Sequence, residues 1–329
     1  MDTLETLTQQ IMDGHQVTRE EALWLSKQPL EHLCRQADRI RRHFCKNTFD
    51  LCTIINGKSG RCSENCKFCA QSAHNHTDAD TYPLLSKEEI LADAKKQAAQ
   101  GVLRYSIVTA GKALSDAEID IMCNTIRQIR QETTLSVCIS FGLLTESQFR
   151  RLKDAGVSRV HNNLETSERH FPNICTTHTF ADKVSAIQAA QQAGLTVCSG
   201  GIMGMGETMA DRIDMALALR GLGITSVPVN VLNPIPGTPF GEYPTLSEAE
   251  VLGILALYRF LLPAASIRMA GGRGLLPDGG KSCFLSGANA AITGDMLTTA
   301  GITVQTDLQM LTELGYEVKL DETTDDHRH

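Results

Sequence analysis

Apolar and polar positions follow two different periods along this chain. Through residues 1–48 the apolar side chains recur at helical spacing, which predicts helices over Leu4–Met12, Arg19–Ser26 and His32–Phe44. From Leu51 onward, short apolar runs alternate with longer amphipathic stretches. The runs predict strands at Leu51–Ile55, Arg104–Thr109, Leu135–Ser140, Arg159–Asn162, Leu195–Ser199, Ser226–Leu232, Ala265–Met269 and Asn289–Thr293. The stretches between them predict helices over Lys87–Gln100, Asp116–Glu132, Glu146–Ala155, Ala181–Ala193, Met209–Leu222 and Glu248–Leu261. Eight strands separated by helices is the count of a TIM-type (β/α)8 barrel. The expected organisation is an N-terminal helical extension over 1–48, the barrel over 49–320 and a polar tail over 321–329, whose two histidines are weak metal candidates. A doubly wound sheet would alternate similarly, but with fewer strands and a Gly-rich phosphate turn after the first, and no such turn is found here.

Composition narrows the class. A hydrophobic content of 42% fills a sizeable core, no apolar run is long enough to span a bilayer, and residues 1–20 lack the basic-then-apolar pattern of a signal peptide. The formal charge of -7, with no basic stripe, argues against nucleic acid as a partner. These features lead to the expectation of a cytoplasmic protein. Eleven cysteines are the anomaly. In a large chain without a secretory signal, an odd number of thiols favours metal or redox chemistry over a disulfide framework.

Three of them cluster in Arg61-Cys62-Ser63-Glu64-Asn65-Cys66-Lys67-Phe68-Cys69, directly after the first predicted strand. This spacing suits a loop that wraps three thiolates around a compact inorganic centre. Three cysteines cap three irons of a [4Fe-4S] cube and leave the fourth open. The amino and carboxylate groups of S-adenosylmethionine can chelate that iron, and an electron delivered to the sulfonium then gives methionine and a 5′-deoxyadenosyl radical. The competing reading is a tetrahedral zinc site completed by His74 or His76. A loop at the C-terminal end of a barrel strand, where barrel active sites lie, favours the radical chemistry.

Together with Ala70-Gln71-Ser72, this loop resembles the cluster loop of the biotin synthase family within the radical S-adenosylmethionine superfamily. The resemblance extends, in order, through Asn163-Leu164-Glu165-Thr166-Ser167, the segment Cys198-Ser199-Gly200-Gly201 to Thr208, Ser226-Val227-Pro228-Val229-Asn230, Gly237-Thr238-Pro239, Ala288-Asn289 and Leu297-Thr298-Thr299, covering residues 40–315. It implies a homodimeric sulfurtransferase that inserts sulfur into dethiobiotin. The implied cofactors are a [4Fe-4S] cluster with S-adenosylmethionine and an auxiliary iron–sulfur cluster that donates the sulfur, and the implied reductant is of flavodoxin or ferredoxin type.

In the family the auxiliary cluster is held by three interior cysteines and an arginine. The resemblance carries two of those cysteines to Cys138 and Cys198 and the arginine to Arg268, but the third position is Ser106, a poor, hard ligand for iron. Interior barrel layers draw on alternate strands, so the first strand completes the layer of the third, fifth and seventh, and it carries Cys52. The expected auxiliary ligands are therefore Cys52, Cys138 and Cys198 with Arg268 close by. Three thiolates favour a four-iron cluster, with the family's [2Fe-2S] type as the alternative; for Cys52 the other reading is a buried thiol filling barrel volume.

The resemblance also assigns Asn163, Glu165 in place of the family's shorter Asp, and Lys183 to the nucleoside cofactor, and Asn230 and His161 to the ureido ring. A solvated helix lysine is the other reading of Lys183, and Gly200 and Gly201 are further cofactor candidates. His161 replaces an expected Asn, and the reading as a core histidine stands beside it. The two glycines would let backbone approach a ligand or simply make a tight turn. Cys283 has no ligand role in the family. Cys34, Cys45, Cys123 and Cys175 read as core or surface thiols. The alternatives are a radical maturase or mutase on the same barrel, a structural zinc or iron protein, and a cluster carrier. The interior cysteines weigh against the first, and Asn230 has no role in the last.

Overall fold

The computed structural model describes residues 3–320, so the polar tail with its two histidines lies outside the described residues. Helices α1 (Leu4–Met12), α2 (Arg19–Leu25) and α3 (Leu30–Cys45) precede the first strand. Then follow β1 (Thr48–Lys58), α4 (Lys87–Ala99), β2 (Arg104–Thr109), α5 (Asp116–Glu132), β3 (Ser136–Ser140), α6 (Glu146–Asp154), β4 (Val157–His161) and α7 (Phe180–Gln192). The rest comprises β5 (Thr196–Cys198), β6 (Gly201–Met203), α8 (Met209–Gly221), β7 (Ser226–Val231), α9 (Glu248–Leu261), β8 (Ser266–Met269), α10 (Lys281–Phe284), β9 (Ala290–Ile292), α11 (Val304–Glu313) and β10 (Glu317–Val318).

Strands β1 to β5, β7, β8 and β9 pair in parallel in that order, and β9 pairs back to β1, so the sheet closes into the eight-stranded barrel that the alternation predicts. β6 is the far half of the fifth barrel strand, interrupted at Ser199–Gly200, and it pairs with β7. Among the described residues no helix is long and apolar enough to cross a membrane.

Helix starts are fixed locally. A capping box, in which a Ser or Thr accepts from the third helical N–H while that residue's side chain accepts from the cap's own N–H, opens α2 at Thr18, α4 at Ser86, α5 at Ser115, α6 at Thr145, α7 at Thr179, α8 at Thr208 and α9 at Ser247. Each satisfies donors that the first turn would otherwise leave unpaired and stabilises its helix by about 1 kcal/mol.

Successive strand residues point to opposite faces of the sheet. Leu51, Val137, Ile139 and Val197 join the core between sheet and helices, whereas their neighbours Cys52, Cys138 and Cys198 face the barrel interior. β1 is longer than Leu51–Ile55, because its start is paired with β10 at Thr48↔Glu317 and Phe49↔Val318. β6, α10, α11 and β10 had no counterpart among the predicted elements.

Candidate active site

The barrel interior holds a cavity of about 350 Å³, with Cys52, Cys138, Cys198, Cys69, Glu165 and Asn230 among its walls. Its floor is ionic. Asp50 on β1 lies 3.2 Å from Arg104 Nε, 3.3 Å from Arg159 Nη1 and 3.0 Å from Arg268 Nη2, and all four side chains are buried. Burial alone would raise the Asp50 pKa, but the guanidiniums of Arg104, Arg268 and Arg159 overcome that and hold the carboxyl ionised, well below the usual carboxylate range. The three guanidiniums thus share the Asp50 carboxylate at the base of the cavity.

The three interior thiols line the same space. Burial pushes Cys52 up to about 12 and Cys138 up to about 11, whereas Cys198, equally buried, is brought down to about 6 by a hydrogen bond from His161 and by the charges of Arg268 and Arg159. Ser226 Oγ also donates to Cys198 Sγ at 3.3 Å. Cys52 interacts electrostatically with Cys138, and Cys138 with Cys198. The Ser106 hydroxyl is hydrogen-bonded to Cys138 and sits on the same wall, so the position that departs from the family pattern supports a thiol of the set.

Arg268 links the thiols to the ionic floor. The register steps two residues from Cys52 through Arg104 and Ser136 to Cys138, and by the same step to Cys198, to Arg268 and back to Cys52, as one tilted layer does, while Arg268 also pairs with Asp50. Its Nη1 donates to the carbonyls of Asp50 and Ala291 at 3.0 Å each. Its Nη2 pairs with Asp50 by distance but without hydrogen-bond alignment, which leaves a buried N–H uncommitted.

Above the barrel, the loop after β1 folds back on itself. Cys62 N donates to Gln71 O, Ala73 N to Cys62 O, and Cys69 N to Cys66 O. Cys69 reaches the cavity wall, and its thiol is pushed up to about 11 by burial, with Cys62 beside it. Among the described residues the three loop thiols are not gathered as tightly as a single metal ion requires, and His74 Nε2 is directed to Ser63 O at 3.0 Å. The zinc alternative built on His74 is therefore not formed. Donors wrapped loosely around a shared space suit a polynuclear centre.

Glu165 follows β4 with φ of +69°, a left-handed backbone that is unfavourable for a side chain with a Cβ. Its N–H donates to Gly200 O at 3.0 Å and its carbonyl accepts from Ile202 N at 2.9 Å, so the break in the fifth strand locks this conformation. Burial raises the Glu165 carboxyl, with Lys183 and His161 opposing. Asn163 bridges the pair: Nδ2 donates to Glu165 Oε2 at 3.3 Å and Oδ1 accepts from Gly200 N at 3.1 Å. On β7, Asn230 Nδ2 donates to Gly201 O at 3.1 Å and Oδ1 accepts from Gly271 N at 2.8 Å, which aims the remaining amide capacity at the cavity.

Three cofactor expectations take other places. Gly200 and Gly201 are not on the cavity wall. A Cβ on Gly200 would lie 1.9 Å from Pro228 O, and one on Gly201 2.3 Å from Glu165 O, so both are required by strand packing. Gly200→Ala should lower stability by about 1–3 kcal/mol, read as a fall in Tm, because the obstructing atom is backbone. Lys183 also stands off the cavity, with Nζ on Asn162 Oδ1 at 3.2 Å. Cys175, which the sequence places with the inert thiols, lies 3.7 Å from Cys66 Sγ and 3.4 Å from His178 Nδ1, and the hydrogen bonds from Cys66 and His178 hold it down to about 3. The spacing Cys175–His178 was the available signal.

A closed (β/α)8 barrel with a three-cysteine loop after its first strand and a cavity in the barrel interior at that end defines a radical S-adenosylmethionine enzyme. The Radical SAM superfamily model matches residues 28–219, and the Biotin and Thiamin Synthesis associated domain model matches residues 228–317. Among solved structures, methylornithine synthase superimposes with a TM-score of 0.83 at 20% identity over 95% of this chain and 97% of its own. The FeFe-hydrogenase maturase HydG from Carboxydothermus hydrogenoformans superimposes with 0.80 at 17% identity over 95% and 78%. These two share the fold. The biotin synthase of Brachyspira hyodysenteriae is 58% identical over 97% of this chain and 96% of its own, and that of Akkermansia muciniphila 56% identical over 97% and 100%. The chain belongs to the biotin synthase family.

Proposed function

We propose that two separate cysteine sets divide the work of sulfur insertion into dethiobiotin. Cys62, Cys66 and Cys69 hold the [4Fe-4S] cluster that binds S-adenosylmethionine, and Cys52, Cys138 and Cys198 hold the auxiliary cluster, of four-iron type. When bound, the first supplies a 5′-deoxyadenosyl radical and the second supplies sulfur. The donor sets suit these groups: soft thiols stand in both places, and the interior set lies beside Arg268, which keeps an uncommitted N–H. The observation that carries the reading is the meeting of Cys69 with Cys52, Cys138 and Cys198 on the walls of one cavity.

The protein's own groups then orient and shield. Glu165, held by Asn163, offers a carboxylate that accepts from two ribose hydroxyls, and Asn230 offers its second amide hydrogen and lone pair to a ureido ring. His161 hydrogen-bonds Cys198 and favours its ionised form, and it also lines the cavity in which the ureido ring would lie. Arg268 balances thiolate charge from the floor, and Lys183 steadies the strand-four segment through Asn162. Apolar wall residues such as Ile54, Val108 and Ile292 limit access of water to the reacting carbons. A small flavodoxin- or ferredoxin-type protein supplies electrons, the chain works as a homodimer, and its place is the cytoplasm.

The test is turnover of anaerobically reconstituted protein with S-adenosylmethionine, dethiobiotin and dithionite. Biotin and 5′-deoxyadenosine are expected together, and both should disappear in Cys62→Ala. 5′-Deoxyadenosine without biotin in the wild type would place the chain with another radical chemistry.

A further inference from the structure

Cys66 of the cluster loop also belongs to a second group of soft and nitrogen donors, with Cys175 and His178. Cys66 Sγ is 3.7 Å from Cys175 Sγ, Cys175 Sγ is 3.4 Å from His178 Nδ1, and the three donor atoms all lie within 4.8 Å of one another. Two thiolates on one tetrahedral zinc-sized ion, at metal–sulfur bonds of about 2.3 Å, stand about 3.8 Å apart, and a thiolate and an imidazole nitrogen about 3.5 Å. The observed separations match both edges. Thiolates on two different irons of a cubane stand considerably further apart, so Cys66 and Cys175 are spaced to share one ion.

The surroundings are those of a built site. Cys175 and His178 are buried, Cys66 is half-buried, and Phe171, Ile174, Met205 and Phe240 form the apolar cluster behind them. Glu64 Oε2 accepts from His178 Nδ1 at 2.6 Å, a bond that an ion on Nδ1 would replace. Asn65 Oδ1 and Thr177 Oγ1, at 3.4 and 3.5 Å, hold Cys175 Sγ in place. Asn65 also accepts from the Thr176 and Thr177 N–H groups, which ties the loop after β1 to the segment before α7. Among the described residues, no other group of three such donors is this close.

We infer that Cys66, Cys175 and His178 form a mononuclear site for a thiophilic divalent cation such as zinc, with water in the fourth position. On binding, the two thiol protons and the Nδ1 proton leave for solvent, and Glu64 yields its hydrogen bond. Cys66 cannot serve this site and the loop cluster at once. The metal therefore occupies the cluster-free chain and excludes [4Fe-4S] assembly, a consequence that rests on the assignment of Cys66 to the loop cluster.

The test uses the full chain, stripped of iron by chelation under argon and titrated with Co2+, whose thiolate charge-transfer and tetrahedral ligand-field bands report this donor set. One tight equivalent is expected in the wild type and in Cys62→Ala, and none in Cys175→Ala or His178→Ala. Iron uptake by these last two on reconstitution shows that they are folded. Cobalt bands that survive both substitutions but vanish in Cys62→Ala would put the ion on the cysteine triplet and overturn the inference, as would absence of tight binding to the wild type. Zinc added during reconstitution should cut iron uptake in the wild type but not in Cys175→Ala. Cobalt binding as expected with no effect of zinc on iron uptake would retain the site and refute the sharing of Cys66.

Discussion

Cys198→Ser should abolish biotin formation while 5′-deoxyadenosine is still released from S-adenosylmethionine. The substitution keeps volume and hydrogen-bonding capacity but exchanges a soft ligand for a hard, weakly acidic hydroxyl. Cys198 is the interior thiol most disposed to ionise: although burial opposes it, His161, Arg268 and Arg159 bring it down to about 6. Its loss removes the best anchor of the auxiliary cluster, whereas Cys62, Cys66 and Cys69 sit on a separate loop that the change does not touch. Cofactor cleavage should thus become uncoupled from product, a split that liquid chromatography of both nucleoside and biotin reads directly. Simultaneous loss of both products, in protein that still carries the loop cluster, would contradict the division of labour between the two cysteine sets.

The second large effect belongs to the floor of the barrel. Asp50 pairs with Arg104, Arg159 and Arg268, all buried. Asp50→Ala would remove the carboxylate that these three guanidiniums share. Removing one partner from a buried ion pair costs about 3–5 kcal/mol, and the loss here should reach the upper part of that range. In a domain of this size the fall in Tm is on the order of 10 °C, measurable by calorimetry. Asp50→Asn separates charge from shape, since the amide keeps an acceptor for Arg104. The folded carboxyl lies below its ordinary range, so its contribution is present at neutral pH and is lost only in acid, as pH falls through that depressed value. A change of only a few tenths of a kcal/mol in Asp50→Ala would mean that the arginines find other partners, and the ionic floor would not be a structural unit.

Periodicity made the barrel legible because β/α alternation separates two hydrophobic periods cleanly. The strands at Arg104–Thr109 and Ser226–Val231 stand within one residue of where the apolar runs put them. The seven Ser/Thr-led capping boxes were also written in the sequence and would have set the helix starts more closely. What escaped was set by distant partners. β1 is extended by pairing with β10, some 270 residues later, a contact with no local signature.

The same division runs through the site. Cys52, Cys138 and Cys198 could be read as inward-facing because strand alternation with Leu51, Val137 and Val197 fixes their side of the sheet. The ion pair of Arg268 could not be read from its strand alone, since it is made with a carboxylate from the first strand. Gly200 and Gly201 looked like ligand-facing glycines, yet the backbone of Pro228 and Glu165 is what excludes a side chain there. Cys175 gained meaning only when the fold brought it to Cys66, across 109 residues of chain.

The most direct test of the two-set assignment is iron and sulfide analysis with Mössbauer spectroscopy on anaerobically reconstituted wild type beside Cys52→Ser. The account predicts about eight irons in two four-iron signatures, one of which is lost in the variant. About six irons, with a two-iron signature untouched by the substitution, would contradict it and return Cys52 to the barrel core as a packing thiol.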